Sequence, residues 1–297
     1  MDGILIIDKP EGWTSHDVVA KVRRIFQTKR VGHTGTLDPF ATGVLVVLIG
    51  KATRLARFLD KDEKEYEAMM RFGHETDTGD RTGAQTVDCG LRNEEIEDHL
   101  GKVDWPSVLG KFTGEIEQTP PMYSAKKIEG RKLYELARQG VAVARQPVNV
   151  TIRELEIVGA DGSTVRTRVV CSAGTYIRTL AEDIGREIGL GAHLEALRRT
   201  RAGRFGLPGA VKIDQLEEAN DPASFLTDLR SAVEYLPKFI LPPDRVERTR
   251  SGLSTWVQDD FPPMHGPLRM MDESGELIAI GYYDAESRAI QPKIVLV

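Results

Sequence analysis

The chain has 297 residues, 40% of them apolar and 29% charged, with a net charge of −5 and two cysteines. That length suits a large domain plus a small one, and that composition buries a core. No apolar run approaches the roughly 18–20 residues of a membrane-spanning helix, and Cys89 and Cys171 form no C-x-x-C pair, so no disulfide framework or zinc knuckle is expected.

The opening MDGILIIDKP carries acids where a signal peptide has its basic region, so a cytoplasmic protein is expected. Residues 3–8 read as a buried strand closed by Lys9-Pro10. Thr14 or Ser15 then caps a helix with Val18, Val19, Val22, Ile25 and Phe26 at helical spacing. A Gly-rich loop, GHTGTLDPFATG, leads into the strand VLVVLI and a short helix over about 52–59. From Lys64 to Phe72 the pattern alternates, with Tyr66, Ala68, Met70 and Phe72 on one face of a strand. The polar stretch 74–83 reads as a loop, and helical segments fall near 93–100 and 105–113.

Residues 118–146 differ in composition. Lys126, Lys127, Arg131, Lys132, Arg138 and Arg145 stand against Glu129 and Glu135, a net +4, around a short amphipathic piece at Leu133, Leu136 and Ala137. The stretch reads as a segment projecting from a sheet scaffold. It and a second cluster, Arg198, Arg199, Arg201 and Arg204, are either solvated faces or local phosphate footprints on an acidic chain. Strands near 151–158 and 164–171 flank the hairpin turn Asp161-Gly162, and a helix runs from Thr175 to about Ile188. Beyond Asp214 the pattern weakens to a helical linker, and Pro237, Pro242 and Pro243 mark a boundary. The runs LRMMD, ELIAIGYY and KIVLV after it predict a small β-rich module. The whole reads as α+β on a mixed or antiparallel sheet, divided into 1–237 and 238–297.

The stretch from Gly32 to Pro39 is the most informative. Its glycines permit sharp turns, and Pro39 keeps Asp38 out of the α region, just before a buried strand. Such an aspartate either caps a turn or serves as a catalytic carboxylate. A phosphate loop is a poor fit, because no lysine stands at the required spacing and an acid would repel the ligand.

GHTGTLDPFATGVL resembles the signature of TruB-type pseudouridine synthases. KPEGWTSHDVV, KEYEAMMRFGHETDTGD, QTPPMYSAKKIEGRKLYELARQG, CSAGTYIRTLAEDIG and GAHLEALRRT resemble five further blocks of that family, in the family's order, between Lys9 and Thr200. The resemblance implies a catalytic domain over 1–237, with 119–145 as an RNA-gripping insertion, and a PUA-like RNA-binding module over 238–297. It implies an isomerase that converts uridine 55 in the T-loop of tRNA to pseudouridine, with no cofactor and no metal. No obligate protein partner, no membrane association and a monomeric state are expected. A uridine in folded RNA must be extruded before chemistry, and a carboxylate attacking an anomeric carbon is known sugar chemistry.

By the same resemblance Asp38 is the nucleophile, and Tyr66 and Arg178 are its catalytic partners. Tyr66 is expected to stack on the flipped uracil, and Arg178 to form a two-bond pair that fixes and ionises Asp38. Leu197 matches an apolar pocket residue, the alternative being plain packing on a helix. His33 matches a histidine that helps open the RNA loop, and Tyr176 and Lys9 are further substrate contacts. Lys126, Lys127, Arg131 and Lys132 are expected to hold RNA. Asp77 and Asp80 read as turn formers or substrate contacts rather than metal ligands. Two rivals share these features. A guide-dependent synthase of the Cbf5/dyskerin type is disfavoured by the intact 119–145 segment, and an RNA-folding protein without catalysis by the presence of Asp38, Tyr66 and Arg178.

Overall fold

GILIID and VLVVLI are apolar without alternation because the strands they form are covered on both faces. A computed structural model describes residues 1–60, 62–124, 126–128, 130–141, 143–257 and 264–296, and only the backbone of Lys127, Ile128, Lys132 and Arg138. In it, strand Gly3–Lys9 pairs antiparallel with Thr42–Ile49. Leu5, Ile7, Leu45, Val47 and Ile49 face one core with Val18, Val19 and Val22 of helix Ser15–Ile25. Ile4, Ile6, Val44, Val46 and Leu48 face another with Ala52, Leu59 and Phe205. Full burial stabilises each such side chain by about 1.5–3 kcal/mol.

These strands belong to a nine-stranded mixed sheet. Its main order is Gly3–Lys9, Thr42–Ile49, Ala192–Ala202, Lys64–Phe72, Thr164–Cys171, Val148–Asp161 and Gly114–Gln118. The pairing of Thr42–Ile49 with Ala192–Ala202 is parallel, through Arg198↔Thr42 and Arg199↔Gly43. The α+β class and the mixed sheet are as the sequence predicts.

Several elements differ from the sequence reading. Val31–Thr34, inside the expected Gly-rich loop, is a strand paired to Thr42–Ile49, so His33 lies in the sheet. Within the expected 74–83 loop, His74–Thr76 pairs with Gln85–Asp88. The block around Leu197 is a strand rather than a helix, with β-bulges at Leu194/Ala196 and Arg199/Arg201. The first helix is capped by Thr14, in a reciprocal box with Asp17 worth about 1 kcal/mol.

In the basic segment, Lys127–Ile128 and Arg131–Lys132 form a small hairpin followed by helix Leu133–Arg138, whose Leu133 and Leu136 are buried. A five-stranded sheet ends the chain, in the order Lys238–Ile240, Pro267–Met271, Leu277–Asp284, Ala289–Val295, Thr255–Trp256. It has its own core of Leu241, Leu268, Met270, Ile278 and Ile290. A second cluster joins its Met271, Leu277, Ile280 and Ile294 to Leu55, Val233 and Leu236. Among the described residues no helix is long and apolar enough to cross a membrane.

Candidate active site

The signature loop joins strand Val31–Thr34 to strand Thr42–Ile49 and is tied down at several points. Ser15 Oγ accepts from Leu37 N at 2.9 Å, which fixes the loop to the first helix. The Pro39 carbonyl accepts from Gly12 N at 2.8 Å and from Lys9 Nζ at 3.2 Å. Gly43, at φ +98°, stands where any Cβ would fall 2.2 Å from the Arg199 carbonyl. Only glycine lets the two parallel strands approach there.

Asp38 faces a cavity of about 230 Å³, lined also by Lys64, Tyr66, Ser124, Tyr176, Arg178, Leu197 and Arg199. Its Oδ2 lies 2.9 Å from Nε of Arg178. The expected two-bond pair is not what forms. Arg178 gives Asp38 its Nε alone, and donates Nη1 to the Thr78 carbonyl and Nη2 to the Tyr123 carbonyl, both at 2.7 Å. Asp80 Oδ2 stands 3.9 Å from Nη1. The arginine thus knots together the signature loop, the Thr78–Asp80 turn and the start of the basic segment. Arg178 is the second residue of helix Ile177–Glu187, where the helix dipole opposes a cation. The flanking carboxylates of Asp38 and Asp80 offset that cost.

Arg178 is 4% exposed and Asp38 33%, so the carboxylate keeps an open face toward the cavity. Among the described hydrogen bonds its side chain takes none from a backbone N–H, so the turn-capping role does not apply. Burial raises the Asp38 pKa above the ordinary carboxylate value. Arg178 opposes that rise, Asp80 adds to it and Lys9 opposes it. Arg178 therefore orients the carboxylate without making it an unusually strong acid, contrary to the sequence expectation. Tyr66 is buried, and burial raises its pKa, against the pull of the Arg199 cation. It stands as a neutral phenol, a ring to stack on and a hydroxyl.

Leu197 and Tyr176 line the cavity. Gln118, fully buried, clamps the Tyr176 backbone reciprocally, with Oε1 accepting from Tyr176 N at 2.9 Å and Nε2 donating to its carbonyl at 3.2 Å. Lys9 is a correction. It has no exposed surface, and its ammonium is spent on the carbonyls of Pro10, Trp13 and Pro39. Burial lowers its pKa to about 8. It braces the loop and is not placed to touch a substrate.

His33 does not line the cavity. It packs edge-on to His16 at 5.8 Å, and burial holds its pKa at about 4, so it is neutral. Lys126 is half-buried, and Arg131 is exposed and bonded to Gln139. The side chains of Lys127 and Lys132 lie outside what is described.

Three arginines of the second basic cluster are partly exposed and paired with carboxylates. Arg198 pairs with Asp8 at 2.8 Å, Arg201 with Glu63 at 2.9 Å and Arg204 with Glu234 at 3.2 Å. Arg199 is buried beneath the cavity, donating to the carbonyls of Val44 and Gly35. Sequence reasoning missed the site roles of Arg199, Lys64, Ser124 and Gln118. The presence of Gln118 and Ser124 in the resembling block was the signal available for those two.

Known proteins resemble this chain over nearly its whole length. The model of the TruB family pseudouridylate synthase N-terminal domain matches residues 23–177, and that of the tRNA pseudouridylate synthase B C-terminal domain matches residues 178–246. The tRNA pseudouridine synthase B of Solibacter usitatus is 43% identical, over 95% of each chain. That of Geobacillus thermodenitrificans is 42% identical, over 94% of each. Among solved structures, a chain of a Cbf5–Nop10–Gar1 complex is 28% identical with a TM-score of 0.72, covering 99% of this chain and 85% of that one. A chain of an H/ACA ribonucleoprotein bound to a substrate RNA containing 2′-deoxyuridine is 26% identical with a TM-score of 0.69. The chain belongs to the TruB family of pseudouridylate synthases.

Proposed function

We propose that this protein isomerises uridine to pseudouridine in tRNA, at position 55 of the T-loop, on a base flipped into the Asp38 cavity. The observation that carries the reading is the Asp38–Arg178 pair at 2.9 Å, open on one side to a cavity walled by Tyr66 and Leu197. The reaction breaks N1–C1′, turns the uracil and rejoins it through C5. It needs a nucleophile, a route for a proton and a place that excludes water. Attack at C1′ and addition to the base ring both start from the ionised carboxylate. Tyr66 offers the stacking face, and its raised pKa disfavours a phenolate base.

Relatives that match nearly end to end carry the name tRNA pseudouridine synthase B, which supports tRNA as the substrate. The basic segment begins where Arg178 holds the Tyr123 carbonyl, so an RNA loop gripped there lies beside the cavity. In this reading the protein acts as a cytoplasmic monomer without an obligate protein partner, and the terminal sheet is a PUA-like RNA-binding module over 238–297. The structural likeness to the Cbf5-containing assemblies favours one second reading, a synthase dependent on guide RNA. The test is the state of uridine 55 in tRNA from cells lacking the gene, together with the activity of the purified chain on a bare T-arm stem-loop. Unmodified uridine 55 and activity without added RNA support the proposal. Activity only with a guide RNA and partner proteins overturns it.

Two results follow from the electrostatics. Asp38 must be ionised to attack, so the rate of the chemical step is full above its pKa and lost as pH falls through it. Because that pKa is raised, the acid limb should lie above the value of about 3.9 for an ordinary aspartate. Single-turnover rates measured downward from pH 8 check this, and a midpoint at or below the ordinary value would contradict the burial argument. Second, replacing Lys126, Lys127, Arg131 and Lys132 by neutral residues should weaken tRNA binding and flatten its salt dependence. Each lost phosphate contact lowers the log–log slope by up to about one unit. A slope equal to the parent's would make this segment a solvated face.

A further inference from the structure

Of the described side chains that line the cavity, one has a buried polar atom without a partner. Ser124 is 5% exposed, and among the described residues no group donates to or accepts from its Oγ. The neighbouring cations are committed elsewhere. Arg199 holds the carbonyls of Val44 and Gly35, and Lys64 those of Asp60 and Asp62. The Ser124 backbone is held in place, since its carbonyl accepts from Tyr134 N at 3.1 Å and the preceding carbonyl, of Tyr123, accepts from Arg178. A buried hydroxyl with no partner costs stability, so its presence in a substrate cavity points to a partner that arrives with the ligand.

Accepting the uridine reading above, we propose that the Ser124 hydroxyl donates to one carbonyl of the flipped uracil before the base turns and to the other carbonyl after it. The chemistry of the ring suits a single fixed donor. Turning uracil about its N3–C6 line exchanges N1 with C5, as the isomerisation requires. It also exchanges the 2-carbonyl with the 4-carbonyl and leaves N3–H in place. A donor that meets one carbonyl before the turn therefore meets the other after it. A cytosine presents an amine at position 4, so the same donor would find no acceptor there in one of the two orientations. Ser124 thus contributes to the choice of uridine as well as to its grip.

The experiment uses the full chain and T-arm stem-loop RNA. Because Ser124 Oγ has no partner among the described residues, Ser124→Ala should melt at the parent's temperature or higher. Its single-turnover rate should fall by about 10-fold to 100-fold, the effect of leaving one buried carbonyl unpaired. Ser124→Cys, which keeps the volume but is a weak donor, should be slowed nearly as much. A stem-loop with 2-thiouridine or 4-thiouridine at the target supplies the second arm. One of the two should slow the parent while adding nothing to the deficit of Ser124→Ala. A lower melting temperature for Ser124→Ala would show that the hydroxyl supports the fold instead. A parent-like rate, or thio penalties undiminished in the variant, would show that it does not meet the base. Failure of the parent itself to form pseudouridine would sink the functional reading and is separate from each of these outcomes.

Discussion

Asp38→Asn is expected to fold normally, bind tRNA at least as tightly as the parent, and form no detectable pseudouridine. Folding should survive because the amide oxygen can still accept the bond from Arg178 Nε, now 2.9 Å from Oδ2. The arginine also keeps Asp80 as a counter-ion and two carbonyl acceptors. Stability should not fall. A carboxyl whose pKa is raised on folding favours the protonated form in the folded state. Its ionisation therefore costs stability as pH rises from the unfolded value through the folded one, and that cost persists at neutral pH. An uncharged amide removes it, so thermal melting at pH 7 should match or exceed the parent's. Affinity should hold or improve slightly, because one negative charge leaves a cavity that receives phosphate-bearing RNA. Chemistry stops because an amide is not a useful nucleophile toward C1′ or the base ring. Carbodiimide-dependent primer extension, or mass spectrometry of digested tRNA, reads the product. Pseudouridine formed at a rate near the parent's would remove Asp38 from the nucleophile's role. A parent and a variant that both bind tRNA and both leave it unmodified would favour an RNA-folding protein.

The residues that converge on the cavity come from blocks far apart in the chain, and the sequence revealed some of them far better than others. Asp38 was legible because local chemistry marks it, with glycines around it, proline after it and a buried strand next. Tyr66 was legible as one face of an alternating strand, though alternation alone marks a core residue as well. Arg178 was legible as a cation at the wrong end of a helix, which demands an anion. Its true geometry was not, since the carbonyls of Thr78 and Tyr123 that take up its two Nη groups lie 100 and 55 residues away. Arg199 was hidden for a similar reason. In the run RRTR it looks like its neighbours, and only its burial and its bonds to the Val44 and Gly35 carbonyls show that its side chain points inward. The strand around it was disguised by two bulges, which shift the phase of its side chains and break the period of two. Lys9 illustrates the converse error, in which a charge next to a signature motif was read as a substrate contact. Its neighbours instead supply three backbone carbonyls that saturate it.

The geometry around Arg178 makes Arg178→Lys the sharpest test of positioning against charge. The substitution keeps the positive charge beside Asp38 and Asp80, so a purely electrostatic role would be largely preserved. It replaces a rigid planar group, with donors aimed in three directions, by one compact ammonium. A single Nζ cannot reach Asp38, the Thr78 carbonyl and the Tyr123 carbonyl together, because Nε and the two Nη groups point to different elements. Whichever contacts are lost, a buried carbonyl is left unpaired or the carboxylate is left unoriented. An unpaired carbonyl costs about 1–3 kcal/mol of stability, so the melting temperature should drop modestly. A misplaced nucleophile costs more in rate, and displacement by about 1 Å is enough for roughly a 10²-fold loss. The single-turnover rate should therefore fall by about 10²-fold or more. The dissociation constant for tRNA should change by only a few-fold, since phosphate contacts outside the cavity supply most of the affinity. Rate and binding must be measured separately, at a temperature where the variant is fully folded. A variant as fast as the parent would show that charge alone suffices and that the three-way knot is structural. A variant that loses affinity as much as rate would place Arg178 on the RNA instead of on Asp38.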